Sequence, residues 1–520
     1  MSSESTPRSA SAGTSATPAQ QIAAGYAVEG QALELGTVVV EGTTDPAAQI
    51  RIPLATINRH GLVAGATGTG KTKTLQLIAE QLSAGGVPVL MADVKGDLSG
   101  LSRPGQSSDK VTARARETGE TWEASAFPVD FLSLGTKGIG VPVRATIASF
   151  GPVLLSKVLG LNATQESTLG LIFHYAEQQH YELLDLKDLR AVIGKLTSDE
   201  GKGDLKALGG VSAQTAGVIL RALVNLEAEG ADTFFGEPEL KPKDLLRFDD
   251  KGHGVISLLE LGDQAARPVL FSTFLMWVLS DLFKSLPEIG DVDKPKLVFF
   301  FDEAHLLFTD ASKAFLEQVE QTVKLIRSRG VGVFFCTQLP TDVPNEVLSQ
   351  LGARIQHALR AFTPDDQKAL TKTVRTYPKT DVYDLASALT SLGIGEAVVT
   401  VLSERGAPTP VAWTRLRSPR SLMAAIGDDA IGTAAKSSPL QATYGQTVDR
   451  ESAYEKIEAE KAQADQAGPP AEAGSKSAPA PENKPGWFKR FVNSRGFQTF
   501  LRALGTELIR SMFGSGRRRR

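Results

Sequence analysis

The stretch Gly65-Ala66-Thr67-Gly68-Thr69-Gly70-Lys71-Thr72 constrains what this chain can fold into more than any other. Its spacing, GxxxxGK[ST], lets a loop of backbone N–H groups curl around the β- and γ-phosphates of a nucleotide. Gly65, Gly68 and Gly70 allow dihedrals and close approaches that a Cβ would block, and a helix opening at Lys71 points its partial positive end at the anion. Lys71 adds a full charge, and Thr72 sets a hydroxyl where it can ligate the magnesium that bridges the terminal phosphates. The flanks agree with this reading. Gly61-Leu62-Val63-Ala64 reads as the end of a buried strand, and Leu75, Leu77, Ile78 and Leu82 recur at near-helical spacing. Strand, loop and helix together predict a nucleoside-triphosphate site that takes ATP and Mg2+.

Three further apolar runs end on polar residues. Val87-Pro88-Val89-Leu90-Met91-Ala92 closes on Asp93, which reads either as a group near the magnesium and the attacking water or as a turn or capping residue of Asp93-Val94-Lys95-Gly96-Asp97. Lys296-Leu297-Val298-Phe299-Phe300-Phe301 runs into Asp302-Glu303. A phosphate loop upstream turns this pair into a candidate magnesium ligand, Asp302, and a candidate general base, Glu303. Gly330 to Thr337 leads to Gln338, whose amide at a strand end can bond both the γ-phosphate and the lytic water. Arg327 and Arg329 follow a helix expected over about 312–327. They are either charges complementing that helix's C-terminus or an arginine finger given to a neighbouring subunit's nucleotide. Strands alternating with helices imply an α/β fold with a mainly parallel sheet.

The chain has 520 residues, 42% of them hydrophobic, enough for a large core. Its formal net charge of -3 makes no global argument for nucleic acid, so any such contact must come from local basic patches. One cysteine, Cys336, excludes an intrachain disulfide framework and fits a reducing cytoplasm. The longest apolar stretch, Val269 to Leu279, is too short to span a bilayer, which needs about 20 residues. Residues 1–19 read as a disordered Ser/Thr/Ala/Pro tail, residues 20–420 as the core, and about 100–290 within it as a mainly helical insertion. Arg59-His60 receives no role, and His174 and His180 lack metal-ligand spacing. Residues 421–485 read as a largely disordered linker, and 486–520 as a basic amphipathic helix for anionic lipid, a nucleic-acid backbone or a protein groove.

IPLATINRHGLVAGATGTGKT, ADVKGDLSG, FFGEPEL, VFFFDEAHLLF, RSRGVGVFFCTQLPTDVP and GEAVVTVL, in this order, resemble the HerA/FtsK group of P-loop motor ATPases. The likeness is to the YjgR-like bacterial proteins with a HerA-like helicase C-terminal domain in particular, and it covers about residues 51–420. The resemblance implies a RecA-like core, hexameric rings with nucleotide between subunits, and translocation of double-stranded DNA. It matches the phosphate-loop lysine to Lys71, the strand-end acids to Asp93, Asp302 and Glu303, the sensor glutamine to Gln338, and the trans arginine to the segment of Arg327 and Arg329. Where the group's HerA motors carry a β-barrel domain, this chain has only a short ordered lead-in before the core. A second expectation from another class is a switch or scaffold, in which ATP occupancy changes docking of the basic tail on a membrane or protein.

Overall fold

The apolar runs that alternate with helices along the chain become neighbours in one sheet. The computed structural model describes residues 16–94, 96–201, 203–204, 212–262, 267–290 and 292–467, so the expected basic helix over 486–520 lies outside the described residues. Twelve strands form, in chain order: β1 (Ala32–Val40), β2 (Thr43–Pro53), β3 (Gly61–Ala64), β4 (Val89–Asp93), β5 (Val129–Leu134), β6 (Val141–Val143), β7 (Ile256–Glu260), β8 (Leu297–Phe301), β9 (Val331–Thr337), β10 (Ala353–Gln356), β11 (Glu396–Thr400) and β12 (Ala412–Leu416). Their order across the sheet is β2-β1-β12-β11-β10-β3-β9-β8-β4-β7-β5-β6. Every pairing from β10 to β6 is parallel, and the four strands at the other edge run antiparallel. This is the mainly parallel α/β core that the alternation predicts.

β8 shows why its sequence is apolar throughout. Leu297, Phe299 and Phe301 share one core with the helices Pro268–Ser285 and Lys313–Ile326, while Val298 and Phe300 share the other with the helix Lys71–Ala84. A parallel strand covered on both faces has no solvent side, so alternation disappears. The parallel register then carries all the loops that follow β3, β9, β8 and β4 to one edge of the sheet, the edge at which ligands of such folds bind.

The segment 100–290 is mainly helical as expected, over Ile147–Val158, Ala163–Gln178, Leu186–Thr197, Ala213–Ala228 and Pro268–Ser285, and along with the apolar strand β7 it supplies β5 and β6 to the main sheet. The lead-in before β3 forms the short helix Pro18–Ala24, whose first residues Pro18 and Ala19 fall in the expected tail and which a Thr17 capping box opens, and then the edge strands β1 and β2.

The core also continues past Arg420. Glu80 of the helix Lys71–Ala84 accepts bonds from the Arg420 and Ser421 backbone N–H groups at 2.7 and 3.1 Å, and helices follow at Asp428–Ser437, Gln441–Tyr444 and Ala453–Ala467. Tyr444 and Ile457 are fully buried, Tyr444 Oη donates to Asp244 at 2.5 Å, and Asp188 accepts from the Tyr454 N–H at 2.9 Å. Widely spaced anchors in an Ala- and Glu-rich stretch order residues 428–461 that read as linker. A second unit begins at Ala462, and its described residues complete the last helix. Among the described residues no helix is long and apolar enough to cross a membrane.

His60 acts as a structural pin. Its ring is buried between β9 and the helix Lys313–Ile326, with Nε2–H donating to the Val323 carbonyl at 2.8 Å and Nδ1 accepting from the Val333 N–H at 3.0 Å. Burial pushes its pKa down to about 4, against the pull of the Val323 carbonyl, and the Arg327 charge adds to the depression. Between pH 6.5 and about 4 the unfolded chain therefore holds a proton that the folded chain excludes, and stability falls as pH falls through that window. Replacing His60 with Gln removes this linkage. The stability deficit of His60→Gln relative to the parent, read from urea midpoints, is expected to shrink by about 2 kcal/mol between pH 7 and pH 5. A constant deficit would contradict a buried neutral imidazole.

Candidate active site

The phosphate loop leaves β3 and turns through Gly65, Gly68 and Gly70 at φ +153, +82 and +111 before the helix Lys71–Ala84 begins. Gly65 is required by contact as well as by conformation, since a Cβ there would lie 2.5 Å from the His357 Cβ. Helices that open at Asp109, Ile147 and Ala163 carry side-chain caps from Ser108, Thr146 and Asn162, but the helix at Lys71 has Gly70 as N-cap and no side-chain acceptor. Its first N–H groups point to the loop. Lys71 Nζ turns inward and donates to the Gly65 and Ala66 carbonyls at 2.7 and 3.3 Å.

β9 lies between β3 and β8, pairing Val63 with Cys336 on one side and Phe301 with Phe335 on the other. Two interstrand spacings of about 4.8 Å therefore separate the strand of the loop from the strand of the acids, and that gap admits a terminal phosphate and a water. Gln338 follows β9 into the gap and is exposed. It lines a cleft of about 310 Å³ with His305, Thr309, Leu339 and Asp342. Buried Cys336 reports the charges around it: burial pushes the thiol well up, the hydrogen-bonded Asp302 carboxylate adds to this, Lys71 opposes it, and Glu303 adds a smaller part. Lys71, Asp302 and Glu303 thus converge on the end of β9.

Glu303 has φ +48, a left-handed backbone that a non-glycine residue seldom holds without support from its surroundings. Its N–H donates to Asp302 Oδ1 at 2.9 Å, and the Ala304 N–H donates to the Cys336 carbonyl at 2.8 Å. The Glu303 carboxylate has His305 Nδ1 3.5 Å from Oε2, yet that oxygen is buried with no hydrogen-bond partner. It is an acceptor held in readiness.

Asp93 caps the turn that follows β4. It is buried, and its two oxygens accept the Gly96 and Leu98 N–H groups at 2.6 and 2.7 Å, which is the turn-capping arrangement. Arg327 and Arg329 precede β9, so the length of that strand, roughly 20 Å, separates them from their own phosphate loop. Arg329 is engaged within its chain, donating to the Leu286 carbonyl at 2.7 Å, lying 3.4 Å from Glu288 and stacking over Phe283 at 5.3 Å. Arg327 is exposed.

His357, Arg360 and Gly395 also meet the loop, although no spacing in the sequence marks them. The His357 N–H donates to the Ala64 carbonyl at 2.7 Å, and its ring nitrogen Nε2 pairs with Thr74 Oγ1 at 2.9 Å. Burial first, then the Lys71 charge, hold this imidazole neutral with a pKa near 4. The Ala66 N–H donates to the Ala358 carbonyl, Arg360 Nη2 to the Thr67 carbonyl, and the Gly395 N–H to the Thr69 carbonyl. Knowing that β10 lies beside β3 would have pointed to His357, but strand order is not written locally.

These donors fit a magnesium-bound triphosphate. An uncapped helix terminus and one lysine face the anion, while a single hydroxyl and a single carboxylate leave the rest of a magnesium shell to phosphate oxygens and water.

Residues 39–520 match the helicase HerA-like C-terminal family. The DNA double-strand break repair helicase HerA of Saccharolobus solfataricus is 22% identical over 383 residues, 72% of this chain and 67% of that protein. Among solved structures, the plasmid coupling protein TrwB in complex with a non-hydrolysable ATP analogue aligns with a TM-score of 0.48 and 16% identity, over 76% of this chain and 98% of TrwB. VirB4 of Thermoanaerobacter pseudethanolicus aligns with a TM-score of 0.48 and 15% identity, over 75% of this chain and 98% of VirB4. The chain belongs to the helicase HerA-like C-terminal family, and it is a P-loop ATPase of the HerA/FtsK type.

Proposed function

We propose that this ATPase is a cytoplasmic, ring-forming motor, a hexamer as the family resemblance implies, that couples hydrolysis to movement along double-stranded DNA. The observation that carries the proposal is the division of charges between the two ends of β9. Acids and lysine gather at its C-terminal end, and the exposed Arg327 stands at the other, a strand's length from its own phosphate loop, which supports its action on a neighbouring subunit's nucleotide. Likeness to a protein named as a DNA double-strand break repair helicase supports DNA as the polymer. The ATPase core extends to Lys461 in this reading, with 428–461 as part of it.

Each residue then has a task. Gly65 to Thr72 wrap the phosphates, with the N–H groups of Thr67, Gly68, Thr69 and Gly70 turned to them and Lys71 balancing charge on the β- and γ-oxygens. Thr72 and Asp302 would hold magnesium, which would supply positive charge to offset the charge developing on the phosphates. Glu303 accepts a proton from the attacking water, and Gln338 orients that water. Asp93 contributes through the turn it caps. His357 fixes the loop's base through Thr74.

Lys71→Ala removes the only full positive charge inside the loop and is expected to lower turnover by about 10²–10³ at saturating ATP, measured as phosphate release. A variant within a few-fold of the parent would contradict the role of Lys71. The function as a whole is tested by ATPase rate against duplex DNA, RNA, anionic vesicles and no ligand. Stimulation by duplex DNA that weakens steeply with salt supports the motor. Absence of stimulation by any nucleic acid, together with vesicle binding that disappears on deleting residues 487–520, supports the switch instead.

A further inference from the structure

The loop's phosphate contacts leave open which groups receive the nucleoside half of ATP. Arg59-His60, the candidates adjacent in sequence, lie before β3 at the opposite edge of the sheet, and His60 is buried there. The loop instead has two flanking segments at its own edge. One is 357–362, which follows β10 and is bonded to the loop through Ala358 to Ala66 and Arg360 to Thr67. The other is 392–396, which leads into β11 and is bonded through Gly395 to Thr69. Each carries a large apolar side chain left in water: Phe362 is 85% exposed and Ile394 75% exposed, the highest values among the large hydrophobic residues described.

Isolated exposed apolar residues are ordinary, and such a pair anywhere else on the surface would need no explanation. These two occur on the only segments described that hydrogen-bond to the tip of the loop read here as the site of ATP. That ligand carries a flat aromatic base at a short, fixed tether from the phosphates. Neither segment is loose. Phe362 and Thr363 donate their N–H groups to Asp366 at 3.1 and 2.9 Å, and Arg114 braces the other segment through the Ile394 and Gly395 carbonyls at 3.3 and 3.1 Å. A rigid backbone that presents an exposed aromatic ring loses little order when a base stacks on it.

We propose that Phe362 and Ile394 form the base-binding rim of the ATP site, the purine stacking on the Phe362 ring with Ile394 packing beside it. Phe362 is therefore a specificity-determining residue, favouring the larger π-face of a purine over a pyrimidine. The proposal rests on the reading of Gly65 to Thr72 as the phosphate site.

The test uses the full chain and two competing probes, nucleotide and inorganic tripolyphosphate, which has the phosphates without the base. Phe362→Ala is expected to raise KM for ATP about tenfold, the loss of one base–aromatic stack, and to narrow the preference for ATP over UTP. Phe362→Trp is expected to restore KM to near the parental value, and Ile394→Ala to raise it about threefold. The inhibition constant of tripolyphosphate is expected to stay the same in all of them. An unchanged KM in Phe362→Ala overturns the rim, including the case in which the variant alters only sedimentation and thereby marks a subunit contact. A tripolyphosphate constant that rises in step with KM also overturns it, because the loop itself has then been disturbed. If tripolyphosphate fails to compete with ATP in the parent protein, the phosphate-loop reading is what fails.

Discussion

Glu303→Gln is expected to bind ATP with affinity within a few-fold of the parent and to hydrolyse it about 10²–10⁴ times more slowly. The amide keeps the side chain's size and leaves one oxygen to face a water, but it cannot take the water's proton. The backbone at φ +48 and the Oε2 atom without a hydrogen-bond partner mark Glu303 as a group held at a cost in conformational energy. Asp302, one residue before it, accepts the Glu303 N–H and so fixes where the second carboxylate emerges. Binding measured with ATP and turnover measured as phosphate release under single-turnover conditions separate the two effects. Parental turnover in Glu303→Gln would remove Glu303 as the base.

Arg327→Ala is expected to lower turnover by about 10³ or more, the effect typical of a lost arginine finger, with ATP affinity changed far less. Arg329→Ala is expected to do the reverse. Its guanidinium bonds to the Leu286 carbonyl and stacks on Phe283, so truncation takes away packing and costs about 1–2 kcal/mol of stability with little change in turnover. The two residues are separated by one serine and differ in exposure, Arg329 being half-buried against Leu286 and Phe283 and Arg327 exposed. Thermal melts and steady-state rates on both variants check the division. If Arg329→Ala abolished turnover while Arg327→Ala only lowered the melting temperature, the assignment would be inverted.

The parts of the site that were legible in sequence are local ones. A phosphate loop is a run of consecutive residues, and the apolar strand that ends in Asp302-Glu303 advertises both its burial and its exit point. Asp93 was readable in two ways because a turn-capping acid and a ligand-facing acid look the same along the chain, and only the N–H groups of Gly96 and Leu98 decide between them. His357 could not be read, because its contact with Thr74 spans 283 residues and depends on β10 being the neighbour of β3. Residues 428–461 look like a solvated linker because large apolar side chains are sparse among them. The few anchors that order them, Ile431, Tyr444 and Ile457, gain their worth from surfaces supplied by distant strands and helices. The insertion misled in a similar way: β5 and β6 are short, and nothing nearby announces that β7 carries them into the main sheet.

The claim that organises the account is that a complete hydrolytic site needs two subunits, one giving the phosphate loop with Asp302 and Glu303 and the other giving Arg327. Purified Lys71→Ala and Arg327→Ala chains, each nearly inactive alone, are to be mixed under conditions that exchange subunits and assayed for phosphate release. The account predicts that the mixture recovers ATPase activity that neither chain has by itself, because some interfaces then join an intact loop to an intact arginine. A mixture no more active than the sum of its parts, with subunit exchange verified, would contradict it.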